Sequence, residues 1–245
     1  MRHHIYQELI VQNKRILFFF ILLTIMYSSV YAQNTDPDLQ SWNVVRLTNH
    51  FNEKWSLNLQ EETRFQDDIS KLNQVIVKLN GRVNFNEKIG LNFGFKYIYR
   101  PTSSNEWEPW QEVLFPKSFN KFSISQNFRL EERFYQGIEG IIPRIRYLFN
   151  YHIPIGKKQN YLTGYSEVRF NLVNKGTGPV EGFEQVRFRL SYGFHINDFM
   201  DIEVGYLYRF EVNRNSPNLS DQVIHIQIPF STGYKTANKK YRADS

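Results

Sequence analysis

The sequence has no cysteine. Disulfides, thiolate metal sites, a cysteine nucleophile and a lipid-modified cysteine anchor are thereby excluded. It has no long apolar run after Tyr27, so helical membrane spans are excluded as well. Its charges are interleaved, without the basic stripe or patch of a nucleic-acid binder. No metal spacing is present: Asp36, Asp38, Glu106 and Glu108 read as scattered loop acids. No catalytic constellation is present either. Outside the N-terminal region the histidines are His50, His152, His195 and His225, and none has a serine two residues on. The expectation is a protein without a cofactor, a metal or nucleic-acid partners, and not an enzyme.

The N-terminus has a distinct order. Arg2, Lys14 and Arg15 are basic, Ile16 to Tyr27 is an unbroken apolar run of 12 residues, and Ser28 to Ala32 are mostly small. The run is short of the ~20 residues of a spanning helix. The pattern is that of a secretory signal peptide over residues 1–32, cleaved after Ala32 by the Sec-type route. Its removal leaves 27 basic and 23 acidic residues, a net charge of +4. An exported chain without disulfides needs another source of stability, and a closed barrel in lipid is one.

Mean hydropathy is −0.50, yet Phe and Tyr number 21 and 15. A polar average with many aromatics suits a barrel with a wet interior and aromatic outer girdles. Internal repetition supports hairpins. Phe51-Asn52-Glu53-Lys54 recurs 34 residues later as Phe85-Asn86-Glu87-Lys88, and after a further 34 as the shortened Phe119-Asn120-Lys121. A fixed period marks a repeated structural unit, here a tight turn between two strands.

The flanking segments alternate with period 2. Leu91, Phe93, Phe95 and Tyr97 oppose Asn92, Gly94 and Lys96, and Val186, Phe188, Leu190 and Tyr192 oppose Gln185, Arg187, Arg189 and Ser191. Successive strand residues point to opposite faces, so each strand carries one apolar and one polar surface. Alternation alone does not say which face is inside; a soluble lipocalin-like barrel would invert it. The strand number, the aromatics near strand ends and the mixed-sign charges of the polar face select the membrane orientation. Glu61 and Glu132 fall on the apolar face, and belong near a rim or a bulge.

Eleven strand-like segments are read between 39 and 230. Antiparallel closure needs an even number. The expected fold is therefore all-β, an antiparallel up-and-down transmembrane barrel of about 12 strands (10–12). Residues 33–38 form an N-terminal segment, 39–230 the barrel, and 231–245 a tail or weak closing strand.

The polar face carries a second repeat. Glu62-Thr63-Arg64-Phe65, Glu131-Glu132-Arg133-Phe134 and Glu167-Val168-Arg169-Phe170 share a Glu-x-Arg-Phe pattern, and Gln185-Val186-Arg187-Phe188 is a neutralised version. Neighbouring strands would stack these into a lumen network of Glu62, Arg64, Lys96, Arg129, Glu131, Arg133, Arg144, Arg146, Glu167, Arg169, Arg187, Arg189, Glu203 and Arg209. In a narrow lumen such charges must pair.

The Trp42 strand, the Phe-Asn-Glu-Lys turns and the Glu-x-Arg-Phe strands resemble an uncharacterised outer-membrane barrel family of Bacteroidota, domain-of-unknown-function family 2490, over about residues 40 to 230. The resemblance implies an outer-membrane barrel and carries over no functional residues. The strand of Ile224, Ile226, Ile228 and Phe230 ends like a closing barrel strand, but the chain runs on through Lys239-Lys240 to Ser245.

The expected function is that of a Gram-negative outer-membrane barrel, structural or a small-solute channel. Its partners would be outer-membrane lipid, the barrel-assembly machinery and small polar solutes. A lipid-modifying enzyme of phospholipase or lipid A deacylase type and a loop-mediated adhesion barrel are the alternatives.

Overall fold

The computed structural model describes residues 35–156, 160–175, 179–213 and 217–234. The chain divides at Asp36, and the barrel belongs to the part from Pro37 onward. The expected signal peptide with its cleavage site after Ala32, and residues 235–245, lie outside the described residues.

Eleven strands occur among the described residues: β1 (Thr35–His50), β2 (Trp55–Gln66), β3 (Lys71–Asn84), β4 (Gly90–Tyr99), β5 (Glu106–Ser118), β6 (Ser123–Tyr135), β7 (Ile142–Ile155), β8 (Asn160–Asn171), β9 (Gly182–Asn197), β10 (Met200–Glu211) and β11 (Asn218–Gly233). Consecutive strands pair antiparallel all the way round. The ring closes where β1 meets β11.

That closure corrects the even strand count. Arg46 bonds Gln227, Asn49 bonds Thr232, and the backbone of His50 bonds that of Tyr234. The numbers on both strands rise together, so the two run in the same direction. An odd number of alternating strands leaves its first and last members co-directional, and a parallel ladder then satisfies their backbone groups. No twelfth strand is needed: Thr232 and Gly233 complete β11 instead of starting another.

The repeated turns form for a local reason. The Asn52 side-chain oxygen accepts from the amides of Lys54 and Trp55 at 2.8 and 2.9 Å. Asn86 does the same for Lys88 and Ile89. Asparagine thus closes an Asx-type turn at both full repeats, and the shortened third is closed by the backbone bond from Phe119 to Phe122. These turns share one rim, the turn rim. At the opposite, far rim, Asp67, Asp68 and Ile69 are all left-handed, with φ of 53°, 53° and 67°. Asp38 holds this turn by accepting from the amides of Asp67 and Asp68.

The barrel is apolar outside and polar inside. Leu57, Leu59, Phe93, Phe95, Phe128, Leu130, Phe188 and Leu190 are exposed, whereas Gln60, Glu62, Lys96, Glu131, Arg187 and Arg189 on the opposite faces are buried. This is the pattern of a lipid-facing wall. Glu132 stands three residues from the far end of β6 and accepts from Gln111 at 2.9 Å. Glu61 departs from expectation. It sits mid-strand on β2 between Val45 and Val77, bonded by Thr63. Asn43 and Thr63 are its polar neighbours on the same outer face, while the exposed Leu39 of β1 and Leu72 of β3 carry the apolar wall on beyond it.

Candidate functional site: the lumen

The far half of the lumen is filled. Leu207 and Val223 are fully buried against Trp42, with Tyr165 of β8 packed on them from across the barrel. Guanidinium groups cover the indole: Arg64 lies 3.5 Å and Arg187 4.8 Å from its centroid. Trp110 carries Arg129 at 3.8 Å in the same way. Gly94 makes room for Trp110, since a Cβ there would stand 2.7 Å from the ring and 2.6 Å from the Leu79 carbonyl. These apolar lumen residues were invisible to a reading that assigned the inner face to charge.

Around them runs a continuous ion-pair web. Arg144 reaches three carboxylates: Glu131 at 2.5 Å, Glu108 at 3.0 Å and Glu184 at 3.0 Å. Arg133 joins Glu106 and Glu184, each at 2.6 Å. Lys96 meets Glu108 at 2.6 Å. Arg146 meets Glu167 at 2.5 Å and Glu131 at 3.2 Å, while Arg169 also holds Glu167. Arg129 pairs with Glu112, Glu62 with Arg64, and Arg209 with Asp221. Arg187 stands 3.8 Å from Glu167, and Arg189 3.6 Å from Glu203. All fourteen charged residues named from the sequence therefore lie within the barrel and in ion-pair contact.

Sequence reasoning missed several members. Glu106 and Glu108 are not loop acids; both are strand residues of β5 with no exposure. Pro109 falls inside that strand. The structure tolerates it because the ladder to β6 is interrupted between Trp107–Phe134 and Trp110–Glu131, where an N–H is not required. Glu184 enters through a bulge. Arg169 faces Gln185 but Phe170 faces Phe183, so β9 carries one extra residue. Glu184 and Gln185 consequently both turn inward, and the bulge re-aims a side chain. Glu184 supplies the acid that the neutralised Gln185-x-Arg187-Phe188 repeat lacks.

The turn-rim half is different. Asn58, Asn80, Asn92 and Asn150 line it and are only half-buried. The cations at its floor are loosely held. Lys78 is 3.6 Å from Glu62. Arg46 donates to Gln60 at 3.4 Å and to Gln227 at 3.1 Å. Arg189 also donates to Gln227, at 3.4 Å. Of the histidines, His152 stacks on Tyr161, His195 lies 2.7 Å from Asp201, and His225 is buried. No group of three metal-ligating side chains occurs among the described residues.

A closed ring of strands with an apolar outside and a charge-packed inside defines a porin-like transmembrane β-barrel. The family model described as "Protein of unknown function (DUF2490)" matches residues 39–220, and the chain belongs to that family. No curated protein matches. Among solved structures, one titled "NanC porin structure in rhombohedral crystal form" is similar, with a TM-score of 0.53 at 12% identity, covering 80% of this chain and 99% of that one. The likeness is one of fold.

Proposed function

We propose that this protein is an outer-membrane barrel, exported by its N-terminal signal and inserted by the barrel-assembly machinery, whose lumen is closed in its resting state by its own ion pairs. The observation that carries this reading is the absence of any exposure at Glu106, Glu108, Glu131, Ile142, Leu207 and Val223, all on the inner face. A standing channel would leave such side chains wet. The web fills and rigidifies the barrel, and passage of a small solute would require Arg133 and Arg144 to leave their carboxylates. The half-buried turn-rim half favours the channel as the second reading, because it already forms half of a path.

Liposome swelling and planar-bilayer conductance on the purified protein test this. The wild type is expected to be silent. Steady conductance of the wild type would overturn the closed reading, and recovery of the protein in the soluble fraction would overturn the membrane placement.

A further inference from the structure

We propose that the turn-rim half of the lumen binds a small oxyanion, a carboxylate or phosphate, between Arg46 and Arg189. The inference rests on the barrel reading above and adds a ligand class to it.

Two guanidinium groups converge on a single neutral oxygen. Arg46 and Arg189 both donate to Gln227 Oε1, at 3.1 and 3.4 Å. An anionic oxygen at that point would take charge-assisted bonds from both, each roughly twice as strong as a bond to an amide. Arg46 has no carboxylate within ion-pair distance among the described residues; its other acceptor is the Gln60 amide. Arg189 has Glu203 only at 3.6 Å, and its Nε has no hydrogen-bond partner. His225, two residues from Gln227 on the same inner face, also has an unpartnered Nδ1. Both side chains are more than nine-tenths buried.

The far half shows what satisfaction looks like in this lumen. There the Arg144–Glu131, Arg133–Glu106 and Lys96–Glu108 pairs close to 2.5–2.6 Å. Lys78 adds a third loosely held cation at the floor, sharing Glu62 with the closer Arg64. Buried positive charge without a matched acid is costly, and an incoming anion would offset it. Access is from the turn rim, past the half-buried asparagines. These offer amide hydrogen-bonding groups, and the acids of this half are already engaged: Glu112 accepts from Arg129 and Asn92, and Glu203 accepts from Tyr161 and Gln227 and faces Arg189. The barrel wall separates the site from lipid, so the anion is a free solute rather than a headgroup.

The test uses the refolded barrel in detergent micelles, with inorganic phosphate and malonate as separate probes in calorimetric titration. Saturable binding of at least one is expected, weakening with added salt. Arg46→Gln and Arg189→Gln should each weaken it about tenfold, the loss of one charge-assisted bond. Gln227→Glu should abolish binding while leaving the barrel folded, because it places a built-in carboxylate where the anion would sit. No saturation by either probe with folded wild type, or unchanged affinity in the Arg46→Gln/Arg189→Gln double variant, would overturn the proposal. Binding is read without a membrane, so a conducting or soluble protein would sink the closed-barrel reading and leave this result standing.

Discussion

Arg144 on β7 and Glu131 on β6 face each other across one rung of the sheet, 2.5 Å apart and almost wholly buried. The pair is not symmetric in importance. Arg144 also holds Glu108 and Glu184 at 3.0 Å, whereas the further cations of Glu131, Arg146 at 3.2 Å and Arg129 at 3.5 Å, lie closer to other acids, Glu167 and Glu112. Breaking a buried pair from one side costs about 3–5 kcal/mol, because the partner is left charged and dry. Arg144→Leu should therefore destabilise the barrel more than Glu131→Leu does. Urea unfolding of the refolded protein, followed by tryptophan fluorescence, checks the order.

The β9 bulge gives a second expectation. Glu184→Ala removes the shared acid of Arg133 and Arg144 and should cost about 3 kcal/mol or more. Gln185→Ala, its neighbour on the same inner face, loses a hydrogen bond to Glu211 and should cost about 1–2 kcal/mol. Equal effects in the same unfolding assay would mean that the bulge has no electrostatic purpose.

The left-handed turn at the far rim is strained at one residue in particular. Ile69 is β-branched with φ of 67°, a conformation that costs an L-residue roughly 1–2 kcal/mol. Ile69→Gly should stabilise the barrel by about 0.5–1 kcal/mol after the entropy of glycine is subtracted. Asp38→Ala should free the same turn, seen as faster protease cleavage between Asp67 and Ser70.

The outer wall distinguishes a lipid-facing surface from a solvated one. Phe95→Arg should cost roughly 2–4 kcal/mol on folding into vesicles. Glu61→Leu replaces the one carboxylate between Val45 and Val77 with an apolar side chain and should leave folding unchanged or improved. Neutral behaviour of Phe95→Arg would argue that this face meets water.

Much of this was readable from residues alone. The asparagine of each Phe-Asn turn and the period-2 alternation are local features, so hairpins and faces could be placed without tertiary knowledge. The fourteen charges on the inner face followed from parity. What escaped was whatever breaks parity or depends on the partner strand. Glu184 is inward only because of an extra residue opposite Arg169 and Phe170. Glu106 and Glu108 share their strand with Pro109, whose tolerance depends on where the β6 ladder lapses. Trp42, Leu207 and Val223 share the polar face by spacing, and Leu207 and Val223 pair across the β10–β11 hairpin, but only closure of the ring brings Trp42 of β1 to them. The co-directional closure was likewise out of reach, because even-numbered barrels are the rule and nothing local announces an exception.

That parallel seam sets the vectorial topology of the chain. β1 begins at the far rim and β11 finishes at the turn rim. An even-stranded barrel returns both of its ends to one compartment, whereas here they emerge in different ones. Epitope tags placed just before Thr35 and just after Gly233 should accordingly be reached by antibody from opposite sides of the bilayer, and never both from intact cells.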